Sequence, residues 1–111
     1  MNITTLLEQL RTGSLAFSDV LAAIDASYQH HPTAFKNGSV YNEATQNQGS
    51  ARIFSYAMLN HLSEEDTLLL FAEHYRAVLD HPGASDHQNI RQFMANGWNG
   101  IVFEGQALTA R

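Results

Sequence analysis

Two polar segments hold most of the residues in this 111-residue chain that could do chemistry. Residues 42–50 read NEATQNQGS and residues 86–91 read DHQNIR, and each segment precedes an apolar helical pattern. A carboxamide donates and accepts hydrogen bonds at once, so it can fix a loop or bind a polar ligand. We take the following as candidate ligand-binding residues of a polar cleft between the 42–50 loop and the 86–91 segment: Asn42, Glu43, Gln46, Asn47, Ser50, Asp86, His87, Asn89 and Arg91.

Anion binding is the chemistry that these segments fit best. Gly49 and Ser50 open a predicted helix whose first N–H groups lack intrahelical partners, and Arg52 and Arg91 could supply positive charge. The loop has neither the spacing nor the lysine of a P-loop, so we expect a small carboxylate or phosphate rather than a nucleotide. The alternative stays open that the amides serve only to bond the loop to the later helix.

Nucleophilic catalysis fits these residues less well. Ser50, Asp86 and His87 supply the residue types of a triad, but the Gly-x-Ser-x-Gly elbow is missing. A helix N-cap accounts for Ser50 without any chemistry. The sequence assigns no catalytic residue, and whether the chain is an enzyme stays open.

The six histidines invite a metal hypothesis. The ligands would be His30, His31 and His87 with an acid such as Glu43 or Asp86. Zinc sites need three or four converging ligands, usually at a recognisable local spacing, and neither HExxH nor any cysteine is present. The sequence therefore predicts no metal and no other cofactor.

Composition bounds the class of protein. A chain of 111 residues with 44% hydrophobic residues suits a single domain over 1–111. The net charge of -5, without any cluster of Lys or Arg, argues against nucleic acid as a partner. The apolar stretches are too short to span a bilayer, which predicts no membrane role. The absence of cysteine is compatible with a cytoplasmic location.

Apolar periodicity predicts the elements that must position the two segments. The spacing of Ile3, Leu6, Leu7 and Leu10 predicts a first helix to about Thr12, folded against the body rather than acting as a flexible export leader. A second helix is predicted from an N-cap at Ser18 to the His30-His31-Pro32 break, followed by a hairpin over 34–41 that turns at Asn37-Gly38. Three more helices are predicted: one capped by Ser50, one capped by Ser63 that ends before His81-Pro82, and one capped by Ser85 or Asp86. The last predicted element is a strand over 101–103. This pattern predicts an α-rich α+β fold with about five helices and a small antiparallel sheet.

The two polar segments should lie next to each other in the folded protein. Each begins a helix, and the apolar stripes of those helices must share one core. Glu43 and Arg91 are the ion pair that we expect across the boundary.

Several motifs together resemble the HopJ type III effector family. They are PTAFKNG at 32–38, NEA at 42–44, QN at 46–47, GS at 49–50, DHQNIR at 86–91, FM at 93–94, GW at 97–98 and FEG at 103–105. The resemblance covers essentially the whole chain. It implies a small bacterial protein delivered into host cells by type III secretion, and it implies no reaction, cofactor or catalytic residue.

Residues and resemblance together predict a small binding or interaction module of unestablished biochemical activity. Its partner would be a protein or a small polar ligand, with no nucleic acid and no membrane. The alternative is an enzyme or an anion binder that uses the polar cleft.

Overall fold

Six α-helices and two small antiparallel sheets make up the chain in the computed structural model, which describes residues 2–111. The helices are α1 (Ile3–Arg11), α2 (Phe17–Ser27), α3 (Gln48–Leu59), α4 (Glu64–Leu69), α5 (Glu73–Asp80) and α6 (Gln88–Asn96). The strands are β1 (Tyr28–His30), β2 (Phe35–Asn37), β3 (Val40–Asn42), β4 (Ile101–Phe103) and β5 (Leu108–Ala110), and a 3₁₀ turn at Gly97–Gly100 joins α6 to β4. The predicted α-rich α+β class is confirmed. Over the described residues, no helix is both long and apolar enough to cross a bilayer.

Helix α1 is fixed at its start and along its apolar face. The side chain of Asn2 accepts a hydrogen bond from the N–H of Thr5 at 2.9 Å, which caps the first turn. Leu6, Leu7 and Leu10 are 2%, 8% and 4% exposed, so the stripe that the sequence predicted is the buried one. The N-terminal helix is therefore part of the folded body.

Strand β2 lies between β3 and β4 in a three-stranded antiparallel sheet. The predicted hairpin forms, but its two-residue turn is Gly38-Ser39 and not Asn37-Gly38, because Asn37 pairs with Val40 as the last residue of β2. Gly38 has φ 59°, and a side chain there would collide with the amide groups of Gln92 and Asn96. The predicted strand over 101–103 is β4, and it pairs Phe103 with Phe35. This sheet places the ends of β2 and β3 beside α6.

A second sheet was missed by the sequence analysis. Strand β1 pairs antiparallel with β5, and the N–H of His31 continues the ladder to the carbonyl of Ala107 at 2.8 Å. Helix α2 consequently ends at Ser27 and not at the His30-His31-Pro32 break. The partners lie far apart in the sequence and each strand has only three residues, so a local pattern could not indicate the pairing.

The predicted fourth helix is two helices, α4 and α5. The chain breaks at Ala72, which adopts φ 51° and ψ −123°. Leu70, Phe71 and Ala72 are consecutive and all buried. Because three successive residues cannot share one face of a straight helix, only a break allows all of them into the core. The predicted cap at Ser63 is confirmed, since its hydroxyl accepts from an N–H in the first turn at 3.1 Å.

Helix α2 begins one residue before its predicted cap. The N-cap is Ala16 rather than Ser18, and its N–H donates to the carboxylate of Asp19 at 2.9 Å. Asp19 thus provides the reciprocal bond of a capping box from inside the first turn.

Aromatic rings fill the centre of the core around Phe54, which is fully buried. Its ring lies 5.4 Å from that of Phe71, 5.0 Å from that of Phe93 and 6.3 Å from that of Trp98, measured between centroids. Phe54 thereby joins α3 to α6 and to the segment before α5. The same rings form the base on which the starts of α3 and α6 rest.

Candidate functional site

A cleft of about 400 Å³ opens between the starts of α3 and α6, and we name it the α3–α6 cleft. It is lined by residues from both helix starts, from β3, from α2 and α5, and from the segment between α4 and α5: Phe17, Val40, Asn47, Gly49, Ser50, Phe71, His74, His87, Gln88, Asn89 and Ile90. Among the residues that the structure describes, no Asp, Glu, Lys or Arg lines this cleft. The predicted proximity of the 42–50 loop and the 86–91 segment is confirmed.

Buried side-chain amides hold the two segments together. Asn42 and Asn89 donate to each other's carbonyl oxygens at 3.2 and 3.0 Å. Asn37 donates to Asn89 at its backbone and side-chain oxygens, at 2.8 and 3.0 Å, and Asn47 donates to Asn42 at 2.7 Å. The side chains of Asn42 and Asn89 are bonded on both their nitrogen and oxygen atoms, whereas Asn37 Oδ1 is buried without a partner among the described residues. The cluster fixes the positions of β2, β3 and α6 behind the cleft.

Two glutamines shape the loop in the same way. Gln48 accepts from the N–H of Thr33 at 3.0 Å and from the ring of His30 at 3.1 Å, and it donates to the carbonyl of Thr33 at 3.1 Å. Gln46 accepts from the N–H of Glu43 at 3.2 Å. Gln46 and Glu43 are exposed and do not line the α3–α6 cleft, which corrects their assignment to it.

Both helices begin at the cleft from an N-cap in the left-handed conformation. Asn47 before α3 has φ 50° and ψ 39°, and His87 before α6 has φ 50° and ψ 48°. Neither side chain caps its helix, so the predicted caps at Ser50 and at Ser85 or Asp86 are wrong. Within residues 2–111, the first N–H groups of these helices have no acceptor, and they belong to Gln48, Gly49, Ser50, Gln88 and Asn89. Such groups are free to bind an anion.

Two imidazoles lie side by side in the cleft. The ring centroids of His74 and His87 are 5.1 Å apart and the ring planes are tilted by 40°. His74 also meets the ring of Phe17 edge-on at 4.9 Å. The side chain of His87 is one-third exposed, so this part of the cleft is open to solvent.

The side chain of Arg91, in the first turns of α6, is bonded to the segment between α5 and α6. Its guanidinium donates to Asp86 Oδ1 at 2.8 Å and to the carbonyls of His81 and Pro82 at 3.0 and 3.2 Å. The bond from Arg91 holds the pKa of Asp86 below its ordinary value. The predicted ion pair between Glu43 and Arg91 is therefore wrong, because the guanidinium is used within its own segment.

The carboxylate of Glu73 adjoins the cleft and is also occupied. It accepts from the N–H of Phe17 at 2.7 Å and so ties α5 to α2. Burial would raise the pKa of Glu73, but the hydrogen bonds from the N–H groups of Phe17 and of Glu73 itself, with the charges of His74 and Arg76, hold it below its ordinary value. The surroundings of the imidazoles therefore include two bound carboxylates, Glu73 and Asp86.

The structure sorts the predicted site residues into three groups. Asn47, Ser50, His87 and Asn89 line the cleft. Asn42 lies behind it in the buried amide cluster. The others lie outside its lining, and they are Glu43, Gln46, Asp86 and Arg91.

Sequence reasoning missed most of the apolar lining and one imidazole. The residues not considered for the site are His74, Phe17, Val40 and Phe71. The break at Ala72 turns His74 toward α6, and no residue type in that stretch indicates a break. Gln88 and Gly49 lay within the polar segments and could have been included.

The cleft does not hold an assembled catalytic triad. Asp86 Oδ2 lies 3.9 Å from His87 Nε2, while its other oxygen is bound to Arg91. Among residues 2–111, Ser50 and His87 share no hydrogen bond, and no three His, Asp or Glu side chains gather so that they could hold a metal ion. The arrangement is suited to binding through N–H groups and imidazoles.

A family model described as HopJ type III effector protein matches residues 3–108. The chain belongs to the HopJ type III effector family. The crystal structure of the unknown function protein VPA0580 is similar to this HopJ-family chain, with 44% sequence identity, a TM-score of 0.90, and coverage of 100% of this chain and 95% of that chain. No curated protein matches. The resemblance identified from the sequence motifs is confirmed.

Proposed function

We propose that this HopJ-family protein binds a small oxyanion, a carboxylate or a phosphate, in the α3–α6 cleft. The proposal is carried by the convergence of two uncapped helix starts and the imidazoles of His74 and His87 on one cavity that no carboxylate lines. Helix N-termini attract negative charge, and an imidazole adds a positive charge and a donor when it is protonated. This donor-rich cavity stands out in a chain whose net charge is -5.

Amide chemical shifts of the full chain, titrated with inorganic phosphate and with acetate, test the proposal. The backbone amides of Gly49, Ser50 and Asn89 should shift and saturate with either anion. Shifts scattered over the surface, or none at the cleft, would contradict the proposal.

Histidine variants identify the groups responsible. His74→Asn and His87→Asn should each weaken phosphate binding roughly tenfold, as expected for loss of the hydrogen bond from an imidazole. Asn suits position 87, where φ is 50°, because it tolerates the left-handed region. His61→Asn is the matched control, since His61 is exposed, has φ 54° and does not line the cleft.

A protein-interaction module is the second candidate function, and a separate surface favours it. Met58 and Leu59 on α3 are about half exposed, and Met58 lines two neighbouring grooves. One groove continues to Phe103 and the other to Trp98. A contiguous exposed apolar patch of this kind is typical of binding surfaces.

A charged substitution on this patch distinguishes between the two candidate functions. Met58→Glu should abolish capture of a protein partner and leave phosphate binding at the cleft unchanged. Leu79→Glu is the control, because Leu79 is equally exposed but lies outside both grooves. Equal capture by both variants would count against the patch as an interface.

The family description also bears on location. We propose that the chain is made in the bacterial cytoplasm and delivered to host cells by a type III system. A translocation reporter fused to its C-terminus should give a signal in host cells that depends on that system. A reporter signal equal in a secretion-deficient strain would contradict delivery.

A further inference from the structure

We infer that the α3–α6 cleft takes an aryl phosphomonoester, an inference that rests on the proposed function and names its ligand class. The cavity of about 400 Å³ is larger than a bare oxyanion needs. It falls within the range of about 300–1,000 Å³ that is usual for organic ligands. An anion held at the helix starts would therefore leave room for a carbon body.

The walls beyond the helix starts are apolar and partly aromatic. Phe17 and Phe71 stack in parallel with ring centroids 6.0 Å apart, and Phe17 retains part of its exposure at the cleft. Val40 and Ile90 also line this region. Phe71 and Ile90 are already buried, so a flat apolar body would remove the partly exposed Phe17 and Val40 from water. An aromatic ring would add the favourable edge and face contacts of ring pairs.

The donors of the cleft are better matched to a phosphate than to a carboxylate. The free N–H groups of Gly49 and Ser50 belong to one helix start, whereas that of Asn89 belongs to the other. A planar carboxylate has two oxygens in one plane, whereas a phosphomonoester has three terminal oxygens in different directions and a charge near −2 at neutral pH. A phosphomonoester therefore has a terminal oxygen for each helix start and a third for an imidazole, and its ester oxygen can carry the carbon body toward the apolar wall.

Four probes on the full chain test this ligand class: phenyl phosphate, inorganic phosphate, glycerol 3-phosphate and benzoate. Amide shift titrations should give phenyl phosphate an affinity roughly tenfold or more above the other three, consistent with burial of an aromatic ring. The shifts should include Gly49, Ser50 and Asn89, and the phenyl protons should show nuclear Overhauser contacts to the Phe17 ring.

Each contrary result would overturn a different part of the inference. Equal binding of phenyl phosphate, inorganic phosphate and glycerol 3-phosphate would overturn the aryl body and leave the proposed oxyanion binding intact. Equal binding of benzoate and phenyl phosphate would overturn the preference for phosphate. No shift at the cleft with any probe would overturn both this inference and the proposed function.

A variant of the apolar wall provides an independent check. Phe17→Leu should lower the affinity for phenyl phosphate about fivefold more than that for inorganic phosphate, because contact with the ligand's ring is lost only in the first case. Phe103→Leu is the matched control, since Phe103 is also half-buried but lines a different groove. If Phe17→Leu fails to fold, Val40→Ala serves the same purpose. Equal affinities for phenyl phosphate in the wall variant and the control would overturn the inference.

Discussion

Asn42 and Asn89 exchange two side-chain hydrogen bonds inside the protein, at 3.2 and 3.0 Å. Asn42 is the last residue of β3 and is fully buried, and Asn89 lies in the first turn of α6 and is 7% exposed. The pair therefore connects the sheet to the helix start that forms one side of the α3–α6 cleft. The amides that the sequence analysis considered as ligand-binding groups form the frame of the site, and the cleft surface is supplied by their neighbours.

Loss of this pair should destabilise the protein. Asn89→Ala removes both side-chain bonds between Asn89 and Asn42 and one of the two acceptors of Asn37, which keeps the backbone oxygen of residue 89. The free energy of unfolding should fall by about 1–3 kcal/mol, the usual cost of weakening a buried polar network. Urea denaturation measures the change. Asn99→Ala is the control, because Asn99 is exposed and makes no side-chain hydrogen bond among the described residues. If the Asn89 variant were as stable as the control, the Asn42–Asn89 pair would make no net contribution to the free energy of unfolding.

The N-terminal helix should be as stable as the core. Leu6 is 2% exposed on α1, so Leu6→Ala should lower the free energy of unfolding by roughly 2–4 kcal/mol through lost burial and a cavity. Leu79→Ala, at a half-exposed position, should cost far less. Amide hydrogen exchange gives a second measurement, in which α1 should be protected in the native state. Unprotected amides over residues 3–11 would instead indicate a detached N-terminal segment.

Local sequence patterns predicted the elements that are determined by residues close together in the chain. The apolar spacing of α1, the hairpin near Gly38 and the Ser63 cap all depend on residues within a few positions of one another. The α1 spacing and the Ser63 cap are confirmed, and the hairpin forms with its turn one residue later than predicted. The β1–β5 sheet depends on partners some eighty residues apart, as in the pairing of Gln29 with Thr109, and no local pattern could indicate it. Propensity reasoning fails where tertiary contacts decide.

The candidate site was predicted in part for the same reason. The polar character of the 42–50 loop and the 86–91 segment is visible in the sequence, and so is the need for their helices to share a core. The positions of Phe17 and His74 were not predictable, because the break at Ala72 and the bond between Glu73 and the N–H of Phe17 bring them to the cleft. Arg91 was assigned to the wrong partner because the closed turn around Asp86 cannot be seen from composition.

The Arg91–Asp86 pair should make stability depend on pH in acid. Arg91 lowers the pKa of Asp86 in the folded state below its ordinary value of 3.8. The contribution is therefore present above about pH 4, the unfolded-state value, and is lost as the pH falls through the folded-state pKa. Asp86→Asn should lower the Tm at pH 7. As the pH falls into strong acid, the Tm of this variant should become equal to that of the unchanged protein.

Thermal denaturation from pH 7 to pH 2 measures this convergence. Asp80→Asn is a suitable control, because Asp80 is also exposed and has no ion-pair partner within residues 2–111. A constant difference in Tm between the Asp86 variant and the unchanged protein at every pH would mean that the effect does not come from the carboxylate charge.

Zinc should not stabilise this protein, despite its six histidines. A structural or catalytic zinc site needs three or four protein ligands, whereas the cleft offers the imidazoles of His74 and His87 beside two helix N-termini, whose positive ends oppose a cation. A metal that bound the folded state would raise the Tm with concentration. We expect no rise with one equivalent of zinc, and no stoichiometric metal by elemental analysis of untagged protein. A rise in Tm that His87→Asn abolished and His61→Asn retained would contradict this prediction, and a metal-dependent enzyme or sensor would then replace the anion binder as the function of the α3–α6 cleft.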